Sequence, residues 1–526
     1  MTSRNRADNT VESTMSDHLV SADQSEDNLH NVTPHIPIEI WRHILSLVTF
    51  KNQLTLTRIS KTFHHQLQIH DFYDIDSKYL ELLTNDILTH YPQIRSLKVK
   101  HNPNITNINH LTQLTKLNAS WNCGFDNDGI SQLNLIELYV SNNQKITNIN
   151  HMTRLAKLNA SWYCGLDDHG ISQLNLIELD VYENPKITNI NHMTRLKKLD
   201  AGGRCGLDDH GITQLNLIGL DVSNNPNITN INNMTQLAKL DASWGSGLDD
   251  AGISQLNLIK LNVSSNPKIT NINHMTRLAK LDASANSGLD DQGINQLTCL
   301  IQLSVSENPK ITNINHMTQL AKLGASFRSG LDDHGISQLN LIQLGVADNP
   351  NITNINHLTR LATLNANCNS GLDNDGISQL NLIELSVSDN PKITNINHMT
   401  QLAKLDASYG SGLDDKGICQ LNLIELNVHN NPKITNINHL TQLAKLDASY
   451  GSGLDDKGIR QLNLIELDVS YNPKITNINH MTQLSKLRAR GKCGLDDHGI
   501  TQLNLIELDV VDNPNITKHY HMTQLV

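Results

Sequence analysis

The chain has 526 residues, of which 38% are hydrophobic and only 4% aromatic, and its formal net charge is -11. These values favour a thin structure with a narrow, regularly filled core over a set of large globular domains. The acidic balance argues against nucleic acid or an anionic membrane as the main partner. No stretch approaches about 18 consecutive apolar residues, so the sequence predicts no transmembrane helix.

Residues 1–33 form a polar segment of mixed charge without the apolar core of a signal peptide. We expect this segment to be a disordered N-terminal tail. The chain contains seven cysteines, an odd and sparse number for its length, which favours a reducing compartment over a disulfide framework. These features predict an intracellular, cytoplasmic protein, including the cytoplasm of a host if the source is a virus or an intracellular bacterium.

Residues 34–70 carry a helical pattern that recurs nowhere else in the chain. Its apolar residues have helical spacing, first at Ile40, Ile44 and Leu45 and again towards Phe63. Two helices of this size cannot bury much apolar surface alone. They must therefore be completed either by another protein or by the rest of this chain.

The stretch from Ile36 to Leu67 resembles an F-box, whose pattern reads roughly LPxEIWxxILSxLxxxxLxxxRxVSKxF, and it follows that pattern without gaps. One departure is Thr49, which replaces a proline. The resemblance implies a domain that docks on the Skp adaptor of an SCF-type (Skp–cullin–F-box) ubiquitin ligase. The residues that it assigns to the docking surface are Pro37, Ile40, Ile44, Leu45, Ile59 and Phe63. In the alternative interpretation these helices cap the repeats, although residues 71–93, predicted to be a helical linker or an N-terminal cap, could supply that cap instead.

The segment 94–526 consists of one phrase repeated many times. Its "IT" isoleucine recurs every 41 residues, with a single interval of 42. Such a period indicates a solenoid of stacked units. The positions of this isoleucine are Ile105, Ile146, Ile187, Ile228, Ile269, Ile311, Ile352, Ile393, Ile434, Ile475 and Ile516.

Each 41-residue unit contains two related halves, here called first-type and second-type. The first-type half is typified by Leu135-x-x-Leu138-x-Val140, and the second-type half by Leu155-x-x-Leu158-x-Ala160. Both match the leucine-rich-repeat signature, and they resemble the repeats of F-box proteins. The sequence therefore predicts an α/β fold: a leucine-rich-repeat solenoid of about 21 turns, with parallel β-strands on the concave face and short helices or turns on the convex face.

An asparagine closes every first-type half and is predicted to be buried, because its amide can satisfy backbone groups where the strand bends away. This asparagine row is Asn102, Asn143, Asn184, Asn225, Asn266, Asn308, Asn349, Asn390, Asn431, Asn472 and Asn513. Second-type halves lack it and carry instead a "GLDDHGISQL"-like stretch, in which an aspartate is predicted to cap a short helix.

Repeated histidines and cysteines invite a metal or thiol interpretation, but the repeat geometry opposes it. Equivalent residues lie two strands apart, about 9.5 Å, whereas zinc ligands must lie about 2 Å from one ion and disulfide Cα atoms within about 7 Å. We therefore predict no metal, no cofactor and no catalytic residue, with Cys123, Cys164 and Cys205 as small buried residues. The recurring histidines are His110, His151, His192, His274, His316, His357, His398, His439 and His480.

Two outward-facing rows on the strands are informative. In the first, Lys and Glu alternate along neighbouring strands, as at Lys116 and Glu137, and we expect cross-strand pairing. In the second, four successive strands carry aspartates, whose mutual repulsion a basic partner would relieve. With aromatic residues beside them, these aspartates predict a protein-binding patch; the alternative is solvated surface copied by duplication. The predicted target-binding residues are Trp121, Trp162, Asp180, Tyr182, Asp200, Asp221, Asp241 and Trp244.

The sequence thus predicts a non-catalytic adaptor that binds a Skp-type adaptor and cullin ligase at one end and a protein substrate along the solenoid. One alternative is a protein-binding scaffold or decoy without ligase function. Another is an enzyme that uses a thiol, although no sequence context nominates a cysteine.

Overall fold

The computed structural model describes residues 40–41, 44–45, 50–57, 59, 69–75 and 80–517. The chain divides into two compact units, Met1–Leu217 (unit 1) and Ile218–Val526 (unit 2). The predicted tail 1–33, the docking residues Pro37 and Phe63, and the final residues 518–526 lie outside the described residues. Within the described part of the chain, no helix has the length and apolar character needed to cross a membrane.

Helices are few and short in the described residues, because each solenoid turn leaves room for only one helical turn opposite its strand. Asp208, Asp290 and Asp455 cap three of these helices by accepting a hydrogen bond from the N–H of the glycine three residues later. This confirms the aspartate cap predicted from the "GLDD" stretch. The α-helices are α1 Phe50–Thr57, α2 Asn85–Thr89, α3 Asp209–Ile212, α4 Asp291–Ile294 and α5 Asp456–Ile459. Short 3-10 helices span Asp128–Ile130, His169–Ile171, Ala251–Ile253, Asp375–Ile377 and His498–Ile500.

In unit 1, the strands pair in parallel, each with the next along the chain. Strand β1 precedes the repeats and pairs with the first repeat strand, so the segment 71–93 extends the sheet and also contains helix α2. The strands of unit 1 are β1 Asp71–Phe72, β2 Ser96–Lys98, β3 Lys116–Asn118, β4 Glu137–Tyr139, β5 Lys157–Asn159, β6 Glu178–Asp180 and β7 Lys198–Asp200.

Within unit 2, consecutive strands likewise pair in parallel. Strands β2 to β22 give one strand for each predicted turn, which confirms the parallel-strand solenoid of about 21 turns. The strands of unit 2 are β8 Gly219–Asp221, β9 Lys239–Asp241, β10 Lys260–Asn262, β11 Lys280–Asp282, β12 Gln302–Ser304, β13 Lys322–Gly324, β14 Gln343–Gly345, β15 Thr363–Asn365, β16 Glu384–Ser386, β17 Lys404–Asp406, β18 Glu425–Asn427, β19 Lys445–Asp447, β20 Glu466–Asp468, β21 Lys486–Arg488 and β22 Glu507–Asp509.

The core of each unit is a stack of leucine, isoleucine, valine and alanine side chains, one set per turn. Leu138 and Val140 are fully buried, whereas the residues that alternate with them on the strand are partly exposed. The asparagine row is buried as predicted, with at most 7% exposure at any position. At Asn390, for example, Nδ2 donates to the Ala366 carbonyl oxygen at 2.8 Å, and Oδ1 accepts from the Lys392 N–H at 2.9 Å. Each asparagine therefore joins its own turn to the preceding one.

Every repeat strand is followed, three residues after its last residue, by a residue with left-handed backbone, such as Trp162 (φ 56°) and Glu183 (φ 55°). Several second-type halves add a second left-handed residue directly afterwards, as at Tyr163 (φ 56°). The backbone cost at non-glycine residues is offset by hydrogen bonds between turns, such as Trp162 N–H to Tyr182 O at 2.7 Å. Large side chains at this turn position are exposed to solvent: Trp162 is 44% exposed.

Candidate protein-binding surfaces

The helical segment ahead of the repeats buries one side and exposes another. Leu45 is only 3% exposed and packs with Trp41 and Leu56. Ile40 and Ile59, in contrast, are 50% and 39% exposed. Of the predicted docking residues, the structure therefore exposes Ile40 and Ile59, leaves Ile44 half-buried, and uses Leu45 to hold the segment together.

The Lys–Glu row on the strands forms ion pairs in both units. In unit 1, Glu178 lies between two lysines, with Oε2 3.2 Å from Lys157 Nζ and Oε1 2.5 Å from Lys198 Nζ. The hydrogen bond from Lys198 is the main reason that the pKa of Glu178 lies below its ordinary value. In unit 2, Glu425 likewise lies between Lys404 and Lys445. These exposed pairs satisfy one another and add little stability individually.

A groove in unit 1 brings together five of the residues predicted to bind a target. The Trp162 and Tyr182 rings lie 5.3 Å apart, inclined at 50°. The Trp121 ring lies 5.7 Å from that of His101, and Lys100 Nζ lies 5.3 Å from the Trp121 centroid. The predicted residues that line this groove are Trp121, Trp162, Asp180, Tyr182 and Asp200.

Asp180 and Asp200 lie opposite each other on strands β6 and β7. Asp180 accepts hydrogen bonds from Asn159 Nδ2 at 2.5 Å and from the Tyr182 N–H at 3.0 Å. Asp200 accepts one from the Gly202 N–H at 3.1 Å. The expected repulsion between neighbouring carboxylates is thus partly offset by local donors, which leaves an acidic groove with aromatic walls.

The other three predicted residues belong to unit 2. Asp221 and Asp241 face each other on strands β8 and β9, and Trp244, at 66% exposure, follows β9. Burial raises the pKa of Asp221, and the charge of Asp241 contributes further in the same direction. Asp241 is itself held by Asn262 Nδ2 at 2.8 Å and by the Ser243 hydroxyl at 2.5 Å.

Sequence reasoning missed two groups of aromatic residues. In unit 1, Tyr139 also lines the groove, and Lys116 Nζ lies 4.1 Å from the centroid of the Tyr73 ring. In unit 2, rings line up at the turn positions that follow strands β17 to β20. The signal was available, because "ASYG" occurs twice at the repeat position where "ASWG" places Trp244. The members of this second group are Tyr409, His429, Tyr450 and Tyr471.

The buried cysteines and several of the recurring histidines make contacts within the repeat fold. Burial raises the pKa of the Cys123 thiol to about 11 and that of Cys164 to about 12, the reverse of what a thiolate nucleophile requires. The Cys164 thiol donates to the Ala160 carbonyl at 3.1 Å. His151 Nε2 lies 3.2 Å from the Ile130 carbonyl oxygen, and equivalent histidines repeat this contact. Among residues 80–517 and the shorter described ranges before them, no group of three metal-ligating side chains occurs.

Comparison with known proteins identifies one family directly: a model of the F-box domain matches residues 34–75. No curated protein matches the chain. Among solved structures, a TLR13–ssRNA13 complex has 19% identity and a TM-score of 0.46. The match covers 82% of this chain and 66% of that chain, so this chain spans just under two thirds of that one's length. An internalin (InlF) of Listeria monocytogenes has 20% identity and a TM-score of 0.33, over 70% of this chain and 94% of that one. A leucine-rich-repeat protein of Leptospira interrogans has 17% identity and a TM-score of 0.29, over 83% of this chain and 96% of that one.

The strand register, the buried leucines and the asparagine row establish the repeat fold independently of these weak likenesses. The F-box match covers the same residues as the helical segment with exposed Ile40 and Ile59. The chain is therefore an F-box/leucine-rich-repeat protein, in which an F-box domain precedes a leucine-rich-repeat solenoid.

Proposed function

We propose that the chain is the substrate-recognition adaptor of an SCF-type ubiquitin ligase. The F-box docks on the Skp-type adaptor, and the solenoid binds a protein target. The observation that carries this proposal is the exposure of Ile40 (50%) and Ile59 (39%) within the F-box match. Exposed isoleucines on so small a helical segment favour a partner that removes them from water.

The docking residues have two roles in this proposal. Ile40 and Ile59 contact the Skp-type adaptor, and Leu45 holds the helical segment together by packing with Trp41 and Leu56. Pro37, Ile44 and Phe63 complete the docking surface on the basis of the F-box resemblance.

The solenoid contributes binding and no chemistry of its own. The unit 1 groove offers aromatic walls and carboxylates to a protein target, a combination that suits protein recognition. Ubiquitin transfer belongs to the partner subunits of the cullin ligase, and this chain accelerates it by holding the target nearby. No cofactor or metal enters the proposal, and the protein acts in the cytoplasm.

Co-purification with a Skp-type adaptor tests the proposal. Ile40→Asp places a charge on the docking surface and is expected to abolish recovery of the adaptor. Ile424→Asp is the matched control, because Ile424 is 46% exposed in the solenoid and lies outside the F-box match. Adaptor recovery that is equal for the two variants and the unchanged chain would contradict F-box docking.

A scaffold or decoy without a ligase is the second candidate. It is favoured by the unit 1 groove, which is lined by repeat residues alone and is therefore complete without the F-box. Under this alternative, target proteins bind and are unaffected by Ile40→Asp, and no Skp-type adaptor or cullin is recovered with the unchanged chain.

A further inference from the structure

A row of aromatic rings lies at the strand ends of unit 2. Tyr409 and His429 have ring centroids 4.8 Å apart, His429 and Tyr450 4.7 Å, and Tyr450 and Tyr471 4.8 Å. The last pair is stacked, with 23° between the ring planes. The three tyrosines are 54%, 48% and 41% exposed, so the row presents a continuous aromatic surface to solvent. We call Tyr409, His429, Tyr450 and Tyr471 the aromatic row.

The aromatic row is held in place from within the fold. His429 Nδ1 lies 2.7 Å from the Ser449 hydroxyl, which fixes the imidazole between two tyrosines. At the other end, the Tyr471 ring covers Gly491, where an added Cβ would lie 2.2 Å from a ring carbon. The rings are therefore ordered before any ligand arrives, so binding to them costs little side-chain entropy.

Carboxylates lie beside the rings on the side of the strands: each is the last residue of the strand that precedes a tyrosine. Asp406, Asp447 and Asp468 each stand three residues before a tyrosine of the row. In each, Oδ1 accepts a hydrogen bond from the backbone N–H two residues later. Among the described residues, Oδ2 of these three aspartates has no hydrogen bond and no ion pair. Three charged acceptor atoms are thus left for a ligand.

The chain itself places guanidinium groups near Asp468: Arg488 lies opposite it on strand β21, and Arg490 follows two residues later. The Tyr471 N–H donates to the Arg490 carbonyl at 3.0 Å, and Arg490 Nε donates to Asp509 Oδ2 at 2.8 Å. The pKa of Arg490 is raised, first by Asp509 and to a smaller degree by Asp468 and Tyr471. The Arg490 guanidinium is thus held mainly by Asp509, and Asp468 of this surface adds a smaller favourable charge interaction.

We propose that the aromatic row and its three aspartates bind an extended, arginine-rich segment of a protein target. Guanidinium groups stack on aromatic faces and pair with carboxylates, which matches both features of this surface. The row covers three gaps of 4.7–4.8 Å, a length that about four residues of an extended peptide span at ~3.4 Å each. This inference rests on the proposed function, in which the solenoid holds the protein target.

The two sides of the rings differ in charge. On the loop side, Lys474 stands three residues after Tyr471, and its Nζ donates to the Ser452 carbonyl at 3.3 Å. A basic segment is therefore expected on the strand side of the rings, where the aspartates lie. Acidic peptides and single-stranded nucleic acid are the competing ligand classes, and the acidic strand side disfavours both.

Fluorescence anisotropy with the purified full chain tests the inference. The probes are labelled 12-residue peptides of alternating serine with arginine, glutamine or glutamate, together with a single-stranded oligonucleotide. We expect the arginine peptide to bind, more weakly as salt increases, and the other three probes to bind at least about tenfold more weakly. Equal binding of the glutamine peptide, or tighter binding of the glutamate peptide or the oligonucleotide, would overturn the inference.

Two sets of variants locate the site without disturbing the turns. Tyr409→Ala and Tyr450→Ala place alanine at the turn position that Ala285 occupies in another repeat, with a φ of 54°. Asp447→Asn and Asp468→Asn copy Asn427, whose Oδ1 accepts the same backbone hydrogen bond. Each change is expected to weaken binding of the arginine peptide by about fivefold, the size of one cation–π or charge contact. Circular dichroism checks that the variants stay folded.

Phe327→Ala is the matched control for the tyrosine variants. Phe327 occupies the same turn position, with a φ of 53° and 52% exposure, but its neighbouring strand positions hold Ser304, Gly324 and Gly345. It is expected to leave peptide binding unchanged, and a loss equal to that of Tyr450→Ala would refute the assigned site. Adaptor binding is measured on the same preparations. If the unchanged chain binds the adaptor but not the arginine peptide, this inference is refuted; if it binds the peptide but not the adaptor, the ligase proposal is refuted.

Discussion

Asn390→Ala tests whether the asparagine row holds the turns together. Asn390 is fully buried. Its Nδ2 donates to the Ala366 carbonyl of the preceding turn at 2.8 Å, and its Oδ1 accepts from the Lys392 N–H of its own turn at 2.9 Å. The substitution leaves both backbone groups without this partner. Each unsatisfied group costs about 1–3 kcal/mol when buried, and the Lys392 N–H is only partly buried, so the expected loss is about 2–4 kcal/mol.

Hydrogen exchange measured by mass spectrometry is the suitable assay, because a solenoid can open locally. A loss of about 2–4 kcal/mol raises the local opening constant about 30- to 700-fold. The faster exchange should centre on the turns that follow β15, β16 and β17. Asn390 lies in the middle turn, where its side chain bonds Ala366 after β15 and its carbonyl accepts from the Gly412 N–H after β17.

Asn381→Ala is the control for this experiment. Asn381 is exposed, and its Oδ1 accepts from the Gln401 N–H at 3.0 Å, so water can replace it. Its expected cost is below about 1 kcal/mol. Equal exchange in the two variants would refute the reasoning and would assign the cohesion of the turns to apolar packing alone.

Two further predictions concern buried packing. The pKa of Cys164 is raised to about 12 by burial, above the ordinary thiol value of 9.0, so its contribution to stability is complete below pH 9 and is lost as the pH rises towards 12. Denaturant titrations should therefore show a smaller decline in stability over that range for Cys164→Ala than for the unchanged chain; identical declines would contradict the buried, protonated thiol. Gly491→Ala should lower the melting temperature and reduce binding of the arginine peptide, because the new Cβ would meet the Tyr471 ring at 2.2 Å. Gly410→Ala is its control, since Gly410 also has a positive φ (73°) but has nothing within 4 Å of an added Cβ, and equal effects would contradict the role of the Tyr471 contact.

The repeat fold could be predicted because its determinants are local and periodic. Alternation around Leu138 fixes which side chains enter the core, and an asparagine every 41 residues, or 42 once, fixes where the strand bends. The second-type turns were less predictable. Their bend depends on successive left-handed residues such as Trp162 and Tyr163, a conformation that neither residue type favours by itself.

The candidate surfaces were predicted in part. Repeat position alone placed Trp121 and Trp162 in one groove with Asp180, because neighbouring strands carry equivalent residues side by side. The repeated "ASYG" marks Tyr409 and Tyr450, but the place of His429 between them escaped prediction because His429 stands one position earlier in its turn than the tyrosines. Its ring reaches between them through its side-chain conformation and the contact with Ser449, which sequence spacing does not show.

Hydrogen exchange of the full chain with and without a Skp-type adaptor tests most directly whether the F-box is the docking site. The proposal predicts slower exchange within residues 34–75 on addition of the adaptor, no change along the solenoid strands, and loss of the protection in Ile40→Asp. Protection confined to the solenoid, or no protection anywhere, would contradict it.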